Sequence, residues 1–306
     1  MPLAIADIDY LRQVVSSRSG NVLTQEQGYL LESRLSPVAQ TAGLKDVETL
    51  VVELRKSNFS ALHDRVSEAM TINETSFFRD SHPFQAMREQ ILPTLIEARR
   101  ATRQISIWCA ASSCGQEPYS LAILIREHFP QLADWNVRIV GTDLSDEMLT
   151  KARQGRYSQF EVGRGLPAKL LVNHFQRVGT EWVVKDDVRR LVEFRKMNLT
   201  QAWPYMAPAD VVFIRNVLIY FDVPTKQSIL SRALRVLRPD GYLFVGGSET
   251  LLNMSLPIRR ESIGPTAVYR PNIVNGTDRT VTSPTTPQGT WTATAPAFTA
   301  FGRKPT

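Results

Sequence analysis

Apolar side chains recur every three or four residues along residues 7–70, without the alternation that marks a strand. This spacing places them on one face of a helix, so the region predicts a small all-α domain over residues 1–70. The positions that carry the pattern are Leu11, Val14, Val15, Leu30, Leu31, Leu35, Val38, Leu50, Val51, Leu54, Leu62 and Val66.

Residues 80–270 have a different pattern, in which helical periodicity alternates with short β-branched runs. Such alternation is typical of a parallel sheet covered by helices, and it predicts an α/β domain over residues 71–271. Beyond it, residues 272–306 are rich in Thr and Pro and poor in large apolar side chains. We predict a disordered tail there, because too little apolar surface is available to offset the entropy of ordering.

Glycines and a proline break the α/β pattern over residues 156–192. Two short apolar runs, at 182–185 and 191–195, have the character of antiparallel strands. We therefore predict a small antiparallel β insertion within the α/β domain.

The first strand of the α/β domain runs into a turn of small residues and then into a helix, over residues 105–120. Small side chains let the backbone approach a nucleotide-like ligand at a helix N-terminus. Glu117 stands where a phosphate would be repelled, and it suits a ligand with a cationic amine, such as the methionine end of S-adenosylmethionine. The alternative is an ordinary buried turn between a strand and a helix, because the motif is weak when taken alone.

A second buried strand, over residues 135–143, ends on Asp143. An acidic residue at the end of the second strand of a doubly wound sheet accepts hydrogen bonds from ribose hydroxyls, and the spacing fits that function. The alternative for Asp143 is a helix N-cap, since Asp favours that position too. The presence of the preceding turn favours the ribose function.

A third buried strand turns polar at its carboxyl end, where open α/β sheets bind ligands. Arg215, Asn216 and Tyr220 are therefore expected near the cleft. A capping network for the following helix is the alternative, and it suits Asn216 alone better than the Arg-Asn pair.

The segment before the first strand, residues 70–80, places polar and aromatic residues together. It could be a linker whose Phe77 and Phe78 fill the junction between the domains. If it folds over the cleft, the guanidinium of Arg79 could orient an incoming carboxylate.

Composition narrows the class of protein only slightly. The chain has 36 Lys+Arg against 30 Asp+Glu, a net charge of +6 that is spread along the sequence instead of forming the concentrated basic patch of a nucleic-acid-binding protein. The two cysteines, Cys109 and Cys114, are too few for a disulfide framework and lack zinc-site spacing, so we expect reduced thiols and no metal. No membrane span or secretory signal is evident, and the expected location is the cytoplasm.

Taken together, these segments resemble the chemotaxis receptor methyltransferase (CheR) family over residues 9–271. The resemblance is carried by Asn-Glu-Thr-Ser-Phe-Phe-Arg at 73–79, Trp-Cys-Ala-Ala-Ser-Ser-Cys-Gly-Gln-Glu-Pro-Tyr-Ser at 108–120, and the shorter motifs at 141–143, 198–199, 215–221 and 239–243. It implies a Rossmann-like class I methyltransferase sheet with a small antiparallel β insertion and an N-terminal all-α domain.

The resemblance also implies the cofactor, the substrate and the site. The cofactor would be S-adenosylmethionine, and the substrate would be glutamate side chains on the cytoplasmic helical domain of methyl-accepting chemoreceptors. Arg79 and Tyr220 would lie at the point of methyl transfer. The cofactor contacts would come from Asn73, Thr75, Arg79, Glu117, Asp143, Asn198, Leu199, Arg215 and Asn216.

One segment departs from part of the family. The hairpin around residues 176–182 is shorter than in members that dock on a receptor's C-terminal pentapeptide, which resembles the pentapeptide-independent members. Two other functions remain open: a methyltransferase for nucleic acids or small molecules, disfavoured by the helical domain joined to residues 73–79, and a non-catalytic cofactor sensor, which would be expected to lack Arg79 or Tyr220.

Overall fold

The computed structural model describes residues 3–24, 28–57, 60–251 and 254–272. The predicted disordered tail lies outside the described residues from position 273 onward. The described residues up to position 272 form one compact unit. The boundaries proposed above, 1–70 and 71–271, remain predictions.

The described residues of the N-terminal part form four helices, whose apolar faces meet in a core of their own. The helical periodicity of this region therefore gave the correct structural class. Gly20 ends the first helix with a φ of +72°, and a Cβ there would lie 2.6 Å from Cγ2 of Thr200, so the end of this helix abuts the α/β part. The helices are α1 (Ile5–Ser19), α2 (Gly28–Thr41), α3 (Val47–Arg55) and α4 (Ala61–Ala69).

Ten strands follow among the described residues of the α/β part, seven in a main sheet and three in a smaller one. They are β1 (Gln104–Ala110), β2 (Asn136–Asp143), β3 (Arg156–Ser158), β4 (Phe175–Val178), β5 (Glu181–Val184), β6 (Val192–Lys196), β7 (Ala209–Ile214), β8 (Leu237–Val245), β9 (Ile258–Ile263) and β10 (Thr266–Pro271).

The main sheet has the order β6-β2-β1-β7-β8-β10-β9. The first five strands in this order are parallel, and β10 runs antiparallel to both β8 and β9. The strand order reverses between β2 and β7, on either side of β1, and open α/β sheets bind ligands at such a switch point. The fold is the predicted Rossmann-like one.

Helices cover both faces of the main sheet. A π-helical turn, Met87–Ile91, joins α5 to α6, and a 3₁₀ turn, Leu218–Tyr220, precedes α12. The helices are α5 (His82–Ala86), α6 (Leu92–Ala98), α7 (Gln116–His128), α8 (Asp146–Gln154), α9 (Gln159–Gly163), α10 (Ala168–His174), α11 (Asp186–Arg189) and α12 (Val223–Val236).

The predicted small antiparallel β insertion is present. Its antiparallel sheet has the order β3-β5-β4, and β4 and β5 are joined by Gly179 and Thr180 alone. The run at 191–195, predicted as an antiparallel strand of the insertion, is instead β6, which pairs in parallel with β2 at the edge of the main sheet. That prediction was wrong, because a short apolar run does not reveal which strand it pairs with.

Among the described residues, no helix combines the length and apolarity needed to cross a bilayer.

Candidate active site

A cavity of about 940 Å³, including its part open to solvent, lies at the carboxyl ends of β1, β2 and β7. The structure brings all ten residues suggested by the sequence to its wall: Asn73, Thr75, Arg79, Glu117, Asp143, Asn198, Leu199, Arg215, Asn216 and Tyr220.

The turn between β1 and α7 forms one wall of the cavity. Ala111 and Ser113 have φ values of +52° and +48°, a left-handed conformation that is costly for residues other than glycine and that concentrates at functional sites. Gly115 follows with a φ of +87°, and a Cβ there would lie 2.7 Å from Cζ of Phe194. The turn therefore needs a glycine at that point both for its conformation and for the close packing beneath it.

Asp143 is buried at the end of β2, and both of its carboxylate oxygens accept backbone hydrogen bonds. Ser113 donates to Oδ2 at 2.7 Å and Ser145 donates to Oδ1 at 2.9 Å. Burial raises the pKa of Asp143, and the backbone donors oppose the shift. The N-cap of α8 is Ser145, which accepts from the backbone of Met148. The alternative assignment of Asp143 as that cap is therefore wrong, and its carboxylate is fixed at the cavity wall.

Glu117 and Arg215, which both line the cavity, form an ion pair. Nη1 of Arg215 donates to Oε2 of Glu117 at 2.6 Å, and the two side chains are 2% and 12% exposed. Nη2 of Arg215 also bonds Asp80 at 2.7 Å and the backbone oxygen of Arg79 at 3.0 Å. Burial raises the pKa of Glu117, and the charge of Arg215 opposes it. Arg215 thus connects the end of β7 with the first turn of α7 and with residues 79–80.

The segment before the sheet does fold over the cavity. Arg79 is half-buried at the wall and donates from Nη1 to the backbone oxygen of Glu74 at 2.9 Å. Its neighbour Phe77 is fully buried and packs edge-on against Tyr157 and Phe175 of the β insertion. Phe77 therefore anchors the segment to the insertion, and the prediction that it fills a junction with the helical domain was wrong.

Tyr220 and Asn216 come from the segment that follows β7. Asn216 has a φ of +57°, another left-handed residue at the cavity. Tyr220 lies at the end of the 3₁₀ turn, and its backbone oxygen accepts from Val22 at 3.0 Å. Burial raises the pKa of Tyr220, with Arg79 as the first opposing charge. The phenol is therefore neutral near pH 7 and able to donate a hydrogen bond.

Asn198 and Leu199 also line the cavity, but the side-chain amide of Asn198 forms its hydrogen bonds within the protein. Nδ2 of Asn198 donates to the backbone oxygen of Arg18 at 2.6 Å, and its Oδ1 accepts from Thr200. The side chain of Leu199 is buried in the core beside β7 and β8. Asn198 consequently links the end of α1 to the loop after β6.

Sequence reasoning missed two polar residues from the helical part, Ser19 and Asn21, which also line the cavity. Asn21 donates from Nδ2 to the backbone oxygen of Met70 at 3.1 Å, where the segment over the cavity begins. Nothing in the local sequence identifies Ser19 and Asn21 as site residues, because α1 reaches the site only through the tertiary fold.

The two cysteines are buried and free, as expected, and burial raises the pKa of each thiol.

The family model for the CheR methyltransferase SAM-binding domain matches residues 73–264. The chain belongs to this family. Residues 73–264 include the cavity's segment at 73–79, the three strand ends and Tyr220. They form a SAM-binding methyltransferase domain, and the chain is accordingly a methyltransferase that uses S-adenosylmethionine.

Individual members of the CheR family align with nearly the whole chain. Chemotaxis protein methyltransferase 1 of Pseudomonas aeruginosa is 40% identical over 275 residues, which cover 88% of this chain and 99% of that protein. Chemotaxis protein methyltransferase Cher2 of Pseudomonas putida is 36% identical and covers 86% and 97%. The enzyme of Salmonella typhimurium is 34% identical and covers 87% and 91%.

Proposed function

We propose that this CheR-family enzyme transfers a methyl group from S-adenosylmethionine to glutamate side chains of methyl-accepting chemoreceptors in the cytoplasm. The products would be a glutamate methyl ester and S-adenosylhomocysteine. The observation that carries the proposal is the position of Arg79 and Tyr220, a cation and a neutral phenol, on the wall of the same cavity as the carboxylates of Glu117 and Asp143.

The two carboxylates suit the two polar ends of the cofactor. Asp143 has both oxygens held by backbone donors, and each oxygen keeps a lone pair for a ribose hydroxyl. Glu117 uses one oxygen for Arg215, which leaves the other for the cationic amine of the methionine end. The remaining contacts are assigned to Asn73, Thr75, Arg79, Asn198, Leu199, Arg215 and Asn216.

The structure also bears on Asn198 and Arg215. Because the amide of Asn198 already bonds Arg18 and Thr200, its contact with the cofactor would be through packing. Because the guanidinium of Arg215 is engaged by Glu117, Asp80 and the backbone of residue 79, its main contribution would be to hold Glu117 in place.

The chemistry requires no general base on the protein. A glutamate side chain has a reference pKa of about 4.3 and is ionised near pH 7. Bound S-adenosylmethionine supplies a methyl group attached to a positively charged sulfur. Arg79 has five N–H donors, of which one is used by Glu74, so others can orient the substrate carboxylate. Tyr220 would donate to, or pack against, the same carboxylate at the transfer point.

Substrate and cofactor carry opposite charges that disappear during the transfer. A cavity that limits water and holds the two reacting atoms in line would therefore supply much of the rate. The chain's residues provide binding, orientation and exclusion of solvent, and no metal enters the scheme.

We propose that the enzyme finds its receptors without a C-terminal pentapeptide. The two-residue connection between β4 and β5 supports this, because it offers little surface for a peptide. Basic residues of the helical part, Arg34, Arg55 and Lys56, would meet the acidic receptor helices. Two of them already have acidic partners, since Arg55 pairs with Asp7 and Lys56 with Glu53, so the attraction would be modest.

The test uses the purified enzyme, S-adenosylmethionine and the cytoplasmic fragment of a chemoreceptor. Mass spectrometry should locate the added methyl group on glutamate side chains, and receptor fragments with those glutamates changed to alanine should remain unmodified. Methylation of a nucleic acid or a small molecule, with the receptor unmodified, would refute the proposed substrate.

A further inference from the structure

The carboxylate of Glu249, outside the cofactor cavity, accepts hydrogen bonds from three backbone N–H groups. Asn216 and Gly246 donate to Oε2 at 2.8 and 2.6 Å, and Ile219 donates to Oε1 at 3.2 Å. Hydrogen bonds to an ionised acceptor are the stronger kind. Glu249, which follows β8, thereby holds the backbone of Asn216 and Ile219 in the segment after β7.

The segment held in this way carries two residues of the proposed site. Asn216 lines the cavity in a left-handed conformation that costs free energy and needs support from its surroundings. Ile219 directly precedes Tyr220, and both belong to the 3₁₀ turn Leu218–Tyr220. Oε2 of Glu249 therefore holds Asn216, which lines the cofactor cavity, and Oε1 holds Ile219, which directly precedes Tyr220.

Gly246 and Gly247 differ in how closely they approach the contact between Glu249 and Asn216. A Cβ on Gly246 would lie 2.7 Å from Oε2 of Glu249 and 2.9 Å from the backbone nitrogen of Asn216. A Cβ on Gly247 would meet nothing within 4 Å. A side chain is thus excluded at position 246 by the carboxylate and its partner, whereas the next position is open.

We propose that Glu249 is a positioning residue, which fixes Asn216 for cofactor binding and Tyr220 for methyl transfer through the backbone between them. The part that concerns Tyr220 rests on the proposed function. Glu249 itself contacts neither the cofactor nor the receptor in this scheme.

Two substitutions separate the two sides of the contact. In Glu249→Gln, the amide oxygen can keep both bonds at the Oε2 position, while the amide nitrogen faces the N–H of Ile219 and repels it. We expect turnover to fall about tenfold, with the affinity for S-adenosylhomocysteine within about threefold of the wild type. In Glu249→Ala all three acceptor contacts are lost, and both turnover and affinity should fall about tenfold or more.

The glycines provide a matched pair that leaves Glu249 in place. Gly246→Ala should reproduce the loss of affinity and turnover, and Gly247→Ala should behave as the wild type. Affinity is measured by calorimetry with S-adenosylhomocysteine, turnover with a receptor fragment, and folding by thermal unfolding of each variant. Equal behaviour of the two alanine variants would overturn the proposal.

A kinetic double-mutant cycle tests whether Glu249 acts through Tyr220. In a Tyr220→Phe background, Glu249→Gln should lower turnover by less than about twofold, because the group it positions has been removed. Additive losses, or normal turnover in Glu249→Gln alone, would overturn the connection to Tyr220. If the wild type does not methylate receptors, the proposed function fails, and the calorimetric comparison of Gly246→Ala with Gly247→Ala still decides whether the contact supports cofactor binding.

Discussion

The guanidinium of Arg215 and the carboxylate of Glu117 meet at 2.6 Å between Nη1 and Oε2, and little of either side chain reaches solvent. Arg215→Met should remove the charge that compensates Glu117. Breaking a buried pair on one side typically costs about 3–5 kcal/mol, so the free energy of unfolding in a denaturant titration should fall by that order.

The pair formed by Arg138 and Glu193 is the matched control, since its side chains are 46% and 43% exposed. Arg138→Met should cost no more than about 1 kcal/mol, as is usual for exposed pairs. Equal stability of the two variants would contradict the structural importance assigned to the buried pair.

Asp143 provides the most direct test of the cofactor's orientation. Asp143→Ala should weaken the binding of S-adenosylhomocysteine about tenfold or more, because hydrogen bonds that a ligand donates to an ionised carboxylate contribute about 1.5–3 kcal/mol. Asp146→Asn is the control, since that carboxylate lies on α8, is 62% exposed and pairs with Lys196. Unchanged calorimetric affinity in Asp143→Ala would refute the ribose assignment.

The carboxylates of Asp143 and Glu117 should make cofactor binding depend on pH. Burial raises the pKa of Asp143 and of Glu117 above their ordinary values of 3.8 and 4.5. A raised pKa means that folding favours the protonated form, so the stability contributed by these two groups is present at low pH and is lost as the pH rises through the folded values.

Cofactor binding should change in the opposite direction, because it uses the ionised forms. The affinity for S-adenosylhomocysteine should fall as the pH is lowered through the folded pKa values, and Asp143→Asn should show a weaker dependence. Calorimetry on samples whose folding is checked at each pH measures this, and a wild-type affinity that is constant between about pH 7 and about pH 4 would contradict it.

Much of the fold follows from local pattern, since the helical periodicity of residues 7–70 and the apolar runs of β1 and β2 each specify their own elements. The strand β6 was misassigned because its parallel pairing with β2 is a property of the tertiary fold. The position of Asp143 at the cavity wall, by contrast, could be predicted, because ligands of such sheets bind at the carboxyl ends of the strands.

The supporting residues of the site were harder to predict than the residues that line it. Glu249 acts on the backbone N–H groups of positions 216, 219 and 246, and a backbone donor leaves no signature in the residue type. Ser19 and Asn21 reach the cavity only because the end of α1 abuts the α/β part. Long-range contacts of this kind carry no periodicity for a sequence pattern to reveal.

Arg79 and Tyr220 should affect chemistry more than binding. Arg79→Ala and Tyr220→Phe should each lower the turnover of a receptor fragment by a larger factor than they weaken the affinity for S-adenosylhomocysteine, since their main proposed partners are the glutamate and the transition state. Single-turnover kinetics and calorimetry on the same preparations measure the two quantities. Wild-type turnover in either variant would show that the residue has been given the wrong function.

Recruitment is tested on the receptor and on the helical part of the enzyme. Deleting a receptor's C-terminal pentapeptide should leave the methylation rate nearly intact. Reversing the charges of Arg55 and Lys56 should slow methylation more at low salt than at high salt, because exposed charges are screened over about 10 Å at 0.1 M. A large loss on deletion, or tight binding of the free pentapeptide, would contradict independence from the tether.

The central claim is that the cavity at the ends of β1, β2 and β7 is used to esterify receptor glutamates. In the most direct test, the enzyme is incubated with methyl-labelled S-adenosylmethionine and receptor-containing membranes. The labelled receptor is then treated with alkali, and the released label is measured. We predict label on the receptor that is released as methanol, and much less of it with Arg79→Ala at the same enzyme concentration and time. Label that resists alkali, or that appears on a molecule other than the receptor, would contradict the account.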